Sequence, residues 1–189
     1  QAYELGAVGR NSNLSNGNIK LLIEKIAGSG ADPNSKAYAF GDVGSNSNLS
    51  NENMKLLIEK IAASGADMFS KARAFCLVGS NSKLSNENMK LLIEKIADSG
   101  ADPSSKAEAF GSVGSKSKLS NENIKLLIDA IKDSGADPYW KAEAFGIVGS
   151  NSKLSNENIK LLIDAIKDSR ANSSEKASAL SKISFVGPV

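Results

Sequence analysis

A single pattern of 35 residues, repeated without insertion or deletion, governs what this chain can fold into. Leu14, Leu49, Leu84, Leu119 and Leu154 stand 35 apart, each inside an L-S-N-x-N segment. The units cover residues 1–35, 36–70, 71–105, 106–140 and 141–175, and a partial sixth covers 176–189. Tandem repetition at this period belongs to architectures in which one supersecondary unit buries its apolar face only by stacking on the next.

The second unit, KAYAFGDVGSNSNLSNENMKLLIEKIAASGADMFS, shows what each repeat builds. Ser50 is a helix N-cap, its hydroxyl placed to accept from an orphan backbone N–H. Leu49 and Met54 stand at the two positions of a hydrophobic staple, and Glu52 puts an acid in the first turn, where the helix dipole favours it. Met54, Leu57, Ile58 and Ile61 follow the i, i+3, i+4, i+7 spacing of an amphipathic stripe, widened by Leu56. Gly65 supplies a left-handed residue to end the helix. This long helix, B, is predicted over residues 51–64. The shorter helix A opens with an Asp N-cap and Pro at the first helical position in Asp32-Pro33, Asp102-Pro103 and Asp137-Pro138. Asp67 keeps the cap although Met68 replaces the proline. Helix A is predicted over residues 33–43, stopping near Gly44, with residues 45–48 forming the turn to the next helix B. Turns this short make the two helices antiparallel neighbours.

The fold expected is all-α: a right- or left-handed α-solenoid of five 35-residue helix–turn–helix repeats plus a C-terminal closing helix, in one domain over residues 1–189. In the closing helix Lys176, Ala177, Leu180 and Ile183 keep the helix A core positions, while Ser181 and Ser184 replace two glycines. Arg170 and Asn172 alter the last turn of the fifth unit.

The units differ from one another mainly on one stripe of helix A. The differences fall at Asn34, Tyr38 and Asp42; at Phe69, Arg73 and Leu77; at Ser104, Glu108 and Ser112; and at Tyr139, Glu143 and Ile147. Each set is i, i+4, i+8, one face of a helix. Ser35, Ser70, Ser105 and Trp140 lie beside it, and Tyr3 belongs to it. Ala37, Phe40, Val43 and Gly44 point the other way and form an invariant core face. Exposed aromatics among mixed polar residues suggest a binding surface; neutral drift of an exposed face is the plain alternative. Stacking would align these stripes into a surface roughly 45 Å across at the usual ~9–10 Å between helices. The candidate contact residues are Tyr38, Asp42, Phe69, Arg73, Leu77, Glu108, Tyr139, Trp140, Glu143 and Ile147.

Composition argues against catalysis. The 189 residues include no His, so the commonest general base and zinc ligand is missing. Cys76 is the one cysteine; it replaces a helix A glycine and reads as a tolerated small residue with no base beside it. Asp32, Asp67, Asp102 and Asp137 are explained as caps, and Glu52, Glu87, Glu122 and Glu157 as first-turn acids. Lys55 and Glu59 read as an i, i+4 surface pair. No EF-hand, P-loop or GxGxxG pattern occurs, so no cofactor or metal is expected. The G-x-x-G pairs of helix A read as places of close helix approach. A net charge of +2 gives no whole-chain nucleic-acid footprint. No run is long enough for a membrane span, and no signal peptide is visible. The opening Gln1 leaves room for a natural segment, and for targeting information, ahead of it. One cysteine fits a reducing, cytoplasmic setting; a secreted effector is also compatible. Oligomeric state is left open.

Two lysine series remain. Lys36, Lys71, Lys106, Lys141 and Lys176 recur on helix A; Lys20, Lys55, Lys90, Lys125 and Lys160 recur on helix B. A lysine ladder can follow phosphates, although a solvated face is the commoner meaning.

The stretch NIKLLIEKIA-x-SGADP, as in Asn18 to Pro33, resembles the second helix and exit of ankyrin repeats. It covers about half of each unit. The hairpin finger of that family is missing, the T-P-L-H motif is absent, and the period is 35 rather than 33. The resemblance implies protein binding without fingers. The dipeptides Asn34-Ser35, Phe69-Ser70, Ser104-Ser105 and Tyr139-Trp140, each ahead of a lysine, resemble the variable pair of transcription-activator-like effector repeats. Pentatricopeptide repeats are similar in their 35-residue period and variable first helix. These two likenesses imply modular nucleic-acid recognition, through Lys36, Lys71, Lys106, Lys141 and Lys176. Against it stand the missing G-G turn and the acids Asp42, Glu108 and Glu143, which face a phosphate backbone unfavourably. The function expected is therefore a non-enzymatic scaffold binding a protein or peptide through the variable face of helix A. Nucleic-acid binding is the second reading. A structural or designed consensus array without a ligand is the third, since near-identical units fit recent duplication or design equally.

Overall fold

The computed structural model describes residues 1–184, and its described residues hold eleven helices and no strand. The A helices are α1 (Ala2–Gly9), α3 (Pro33–Gly44), α5 (Met68–Gly79), α7 (Pro103–Lys116), α9 (Pro138–Gly149) and α11 (Ser173–Ser181). The B helices are α2 (Asn16–Gly28), α4 (Asn51–Ala63), α6 (Asn86–Ala97), α8 (Asn121–Asp133) and α10 (Asn156–Asp168). The protein is an all-α solenoid of two-helix repeats. It divides into two compact units, Gln1–Ser99 and Gly100–Val189. In the first, α1, α3 and α5 pack in series, α2, α4 and α6 pack in series, and each helix also meets its chain neighbour. The second follows the same scheme, with α7, α9 and α11 in one row and α8 and α10 in the other.

The helix ends form as their residues dictate. Ser15, Ser50, Ser85, Ser120 and Ser155 accept from the backbone N–H three residues on. Asp32, Asp67, Asp102 and Asp137 do the same for the A helices, and Asn172 closes a capping box with Glu175 on α11. These bonds stabilise the ionised carboxylate. The Ser35 hydroxyl and then its N–H hold Asp32 below the ordinary carboxylate range. The Ser70 N–H and then its hydroxyl do so for Asp67, and the Ser104 and Ser105 hydroxyls for Asp102. Gly65 ends its helix turn at φ 73°, and Gly135 repeats this at φ 78°.

The core is the invariant face. Phe40, Phe75, Phe110 and Phe145 are buried, with the Ile and Leu stripe of the B helices around them. Adjacent A helices approach backbone to backbone along the G-x-x-G pairs. A Cβ on Gly41 would lie 2.9 Å from Ala74 Cα, and one on Gly44 would lie 2.5 Å from Val78 Cγ2. In the second unit, a Cβ on Gly146 would lie 2.8 Å from the Ala179 carbonyl oxygen. A residue with any side chain must push the helices apart there. Cys76 occupies the equivalent place on α5 and is half-buried.

Two asparagine series tie repeat to repeat. In the turn after helix A, Asn46 Nδ2 donates to the carbonyls of Gly9 at 2.6 Å and Asn11 at 3.0 Å. Asn81 donates to Gly44 at 3.0 Å and Asn46 at 2.9 Å, and Asn151 to Gly114 and Ser117. Their Oδ1 atoms accept from the backbone N–H two residues on, at Asn48, Lys83 and Lys153. On helix B, Asn53 donates to the Asn16 carbonyl and Asn88 to that of Asn51. Lys116 departs from the first series, and its helix runs on through that position.

Two expectations need correction. Ala177 is exposed and Leu180 only half-buried, while Ile183 is buried. Ala177 lies on the helix face of the Gly41 and Gly44 positions, which pack against the next helix A, and among the described residues no further helix A follows α11. Lys55 and Glu59 are both exposed and do not pair; a solvated i, i+4 pair gains too little to hold two long side chains in one geometry.

Candidate binding surface

The lysine series on helix A has a structural partner. Lys36 Nζ donates to the Ala27 carbonyl and Lys71 Nζ to the Ala62 carbonyl, both at 2.9 Å. Lys141 reaches the Lys132 carbonyl and Lys176 the Lys167 carbonyl. Each ammonium spans nine residues back to the last turn of helix B, where orphan carbonyls and the negative end of the dipole attract a cation. Lys106 holds the same position in the fourth repeat. These side chains are half-buried along the helix pair, whereas Lys20, Lys55, Lys90, Lys125 and Lys160 are exposed. Lys71→Met is expected to lower the stability of the first unit by about 1–2 kcal/mol. Chemical denaturation checks this, with the exposed Lys55→Met as the neutral comparison.

The variable stripe lies where its spacing places it, away from the buried Phe and Ala face. Phe69 is 75% exposed and Tyr139 is 45% exposed. Arg73 and Glu108 are exposed; Tyr38, Asp42, Leu77, Trp140, Glu143 and Ile147 are half-buried. Tyr139 and Trp140 meet edge to face at 5.1 Å between ring centroids.

Several of these residues pair across repeats. In the first unit, positions 3, 38 and 73 form a column through α1, α3 and α5. Tyr3 stacks on Tyr38 with ring centroids 6.4 Å apart and planes 20° apart. The Arg73 guanidinium lies over the Tyr38 ring, 5.1 Å from its centroid. The Tyr38 and Ser70 hydroxyls are hydrogen-bonded at 3.3 Å, and Asp42 forms an ion pair with Arg10. Tyr3, Arg10, Tyr38, Asp42, Arg73 and Leu77 line a cavity of about 330 Å³, with Ala74 completing its wall. In the second unit the same column is acidic: Glu108 is exposed and Glu143 is paired with Lys182. A second cavity there, about 570 Å³, lies beside Pro138, Lys141 and Phe145 and is edged by Lys132, Asp168 and Arg170.

The expected contact residues thus fall into two groups. Tyr38, Asp42, Arg73 and Leu77 come together in the first unit, with Phe69 one turn away on the same helix. Tyr139, Trp140, Glu143 and Ile147 share α9 in the second, and Glu108 stands on α7. Reading by repeat position missed two partners, Arg10 and Lys182. A signal for Arg10 was present: Ser45, Ser80, Ser115 and Ser150 occupy its place in the other repeats.

Among the described residues no group of three or more His, Cys, Asp or Glu is placed to hold a metal ion. No helix among them is long and apolar enough to cross a membrane. No protein-family model matches the chain, and a search of curated proteins finds no match.

Proposed function

We propose that this chain is a non-enzymatic repeat scaffold that binds a protein or peptide through the variable face of its A helices. The observation that carries this reading is the exposure of Phe69 and Tyr139 on that stripe. The core beneath them is complete without them, so folding does not explain why large apolar rings stand in water there. Aromatic anchors surrounded by polar and charged neighbours are the pattern of interface hot spots. The ankyrin-like sequence of helix B and its exit supports the same class of partner. The nucleic-acid reading is the weaker one, because Lys36, Lys71, Lys141 and Lys176 already bond to helix carbonyls and are poorly free to meet phosphates.

A displayed random-peptide library tests the proposal. Selection on the purified chain is expected to enrich peptides carrying apolar residues, and Phe69→Ala or Tyr139→Ala is expected to weaken them at least ten-fold, as hot-spot truncations do at about 2 kcal/mol. Absence of enrichment would overturn the proposal. So would tight binding of random oligonucleotides that weakens steeply with salt.

A further inference from the structure

We infer that the cavity between α1, α3 and α5 is a subsite for a carboxylate side chain of an acidic peptide. The inference rests on the scaffold reading above and adds the chemistry of the partner. Three observations carry it. First, the charges in the cavity do not cancel. Asp42 is the one acid on its lining and is paired with Arg10. Among the described residues Arg73 has no carboxylate partner, its contact being the ring of Tyr38. A contact with a ring face uses none of the guanidinium N–H groups as donors, which leaves the fork that a carboxylate meets with two parallel hydrogen bonds. Tyr38 also fixes the Arg73 side chain in advance, which reduces the ordering cost of binding.

Second, the cavity has the size and lining for a side chain with flanking backbone. Its volume of about 330 Å³ lies at the low end of ligand pockets, which begin near roughly 300 Å³. Leu77 and Ala74 give an apolar wall for the methylenes of Glu or an adjacent apolar residue.

Third, the column disfavours the other anionic polymer. Base recognition in single-stranded nucleic acid needs an open aromatic face. Tyr38 is flanked by Tyr3 on one side and Arg73 on the other, because α1 and α5 stand on opposite sides of α3.

The test uses the full chain and three labelled peptides, identical except for a central Glu, Gln or Lys flanked by Leu. Two-dimensional NMR locates binding and fluorescence anisotropy measures it. The Glu peptide is expected to shift the signals of Tyr38, Arg73 and Leu77 and to bind at least ten-fold more tightly than the Gln or Lys peptide. Arg73→Gln is expected to erase that preference. Asp42→Asn, which releases Arg10, is expected to strengthen the Glu peptide several-fold. Equal binding of all three peptides, or a Glu preference that survives Arg73→Gln, overturns the inference. Peptides that shift only Phe69 or Tyr139 overturn it while leaving the scaffold reading intact; peptides that shift nothing on the A helices count against both. A single-stranded oligonucleotide that shifts the same signals more tightly than the Glu peptide overturns it in favour of nucleic acid.

Discussion

Phe145→Ala is expected to destabilise the second unit by about 3–5 kcal/mol. Phe145 is 1% exposed and stands on the invariant face of α9, where α9 meets α8 and α10. Truncation removes the transfer free energy of a whole ring and leaves a cavity that stiff Ile and Leu neighbours fill poorly. A unit of this size has a total stability of order 5–15 kcal/mol, so the loss is a large share of it. Trp140, the single tryptophan of the chain, sits five residues ahead on the same helix. Its fluorescence during urea denaturation therefore reports on the unit affected. A midpoint unchanged from wild type would show that the phenylalanine series is not the core. Tyr139→Ala gives the contrast: its ring is 45% exposed and its edge-to-face contact with Trp140 is the main loss, so stability is expected to fall by no more than about 1.5 kcal/mol.

Asn46→Ala is expected to cost about 2–4 kcal/mol, far more than the usual loss at a turn. Asn46 is 1% exposed. Its Nδ2 supplies two carbonyls of the previous repeat, and its Oδ1 receives the Asn48 N–H. Alanine leaves the Gly9 carbonyl and the Asn48 N–H without these bonds and takes one of two from the Asn11 carbonyl, which keeps the Leu14 N–H; an unmade bond in the interior costs about 1–3 kcal/mol, and relaxation and water entry recover part of the sum. Asn46→Asp separates shape from chemistry. Its carboxylate keeps the acceptor but faces two carbonyls with no hydrogen to donate, so the loss at neutral pH should be at least as large. Because the folded site favours the protonated acid, this variant's folded pKa lies above its unfolded value. Its deficit against wild type should therefore shrink as pH falls toward and below the carboxylate range. Thermal unfolding of both variants between neutral and mildly acidic pH checks this. An Asp variant as stable as wild type at neutral pH would rule out the donor role.

These residues also show what could be read before the fold was known. The caps were legible because an N-cap acts within its own turn. Ser50 and Asp67 bond three residues ahead, so local sequence contains both partners. The A/B alternation was legible for a related reason, since apolar spacing reports which face is buried whatever buries it. The lysine and asparagine series were visible as repeats but not as bonds. Lys71 needs the A and B helices set at their folded angle before its ammonium reaches the Ala62 carbonyl. Asn81 looks like an ordinary turn residue until the previous repeat is laid against it. The candidate surface divides in the same way. That Tyr38 and Arg73 lie on one stripe follows from helical spacing. That Arg73 covers the Tyr38 ring, and that Arg10 takes up Asp42, depends on side-chain reach across two stacked helices. Ala177 misled because its burial elsewhere depends on a following helix rather than on its own.

The asparagine bonds have a consequence for how each unit is made. Asn46 and Asn53 reach back 35 to 37 residues, and every packed pair of helices within a unit lies at most two helices apart along the chain. Loop closure is therefore short everywhere, which gives low contact order and rapid folding. During synthesis a repeat leaving the ribosome meets the partner that precedes it already in place. The donors sit on the later residue and the carbonyls on the earlier one, so the growing end of the protein supplies the hydrogens that lock it to the part already folded.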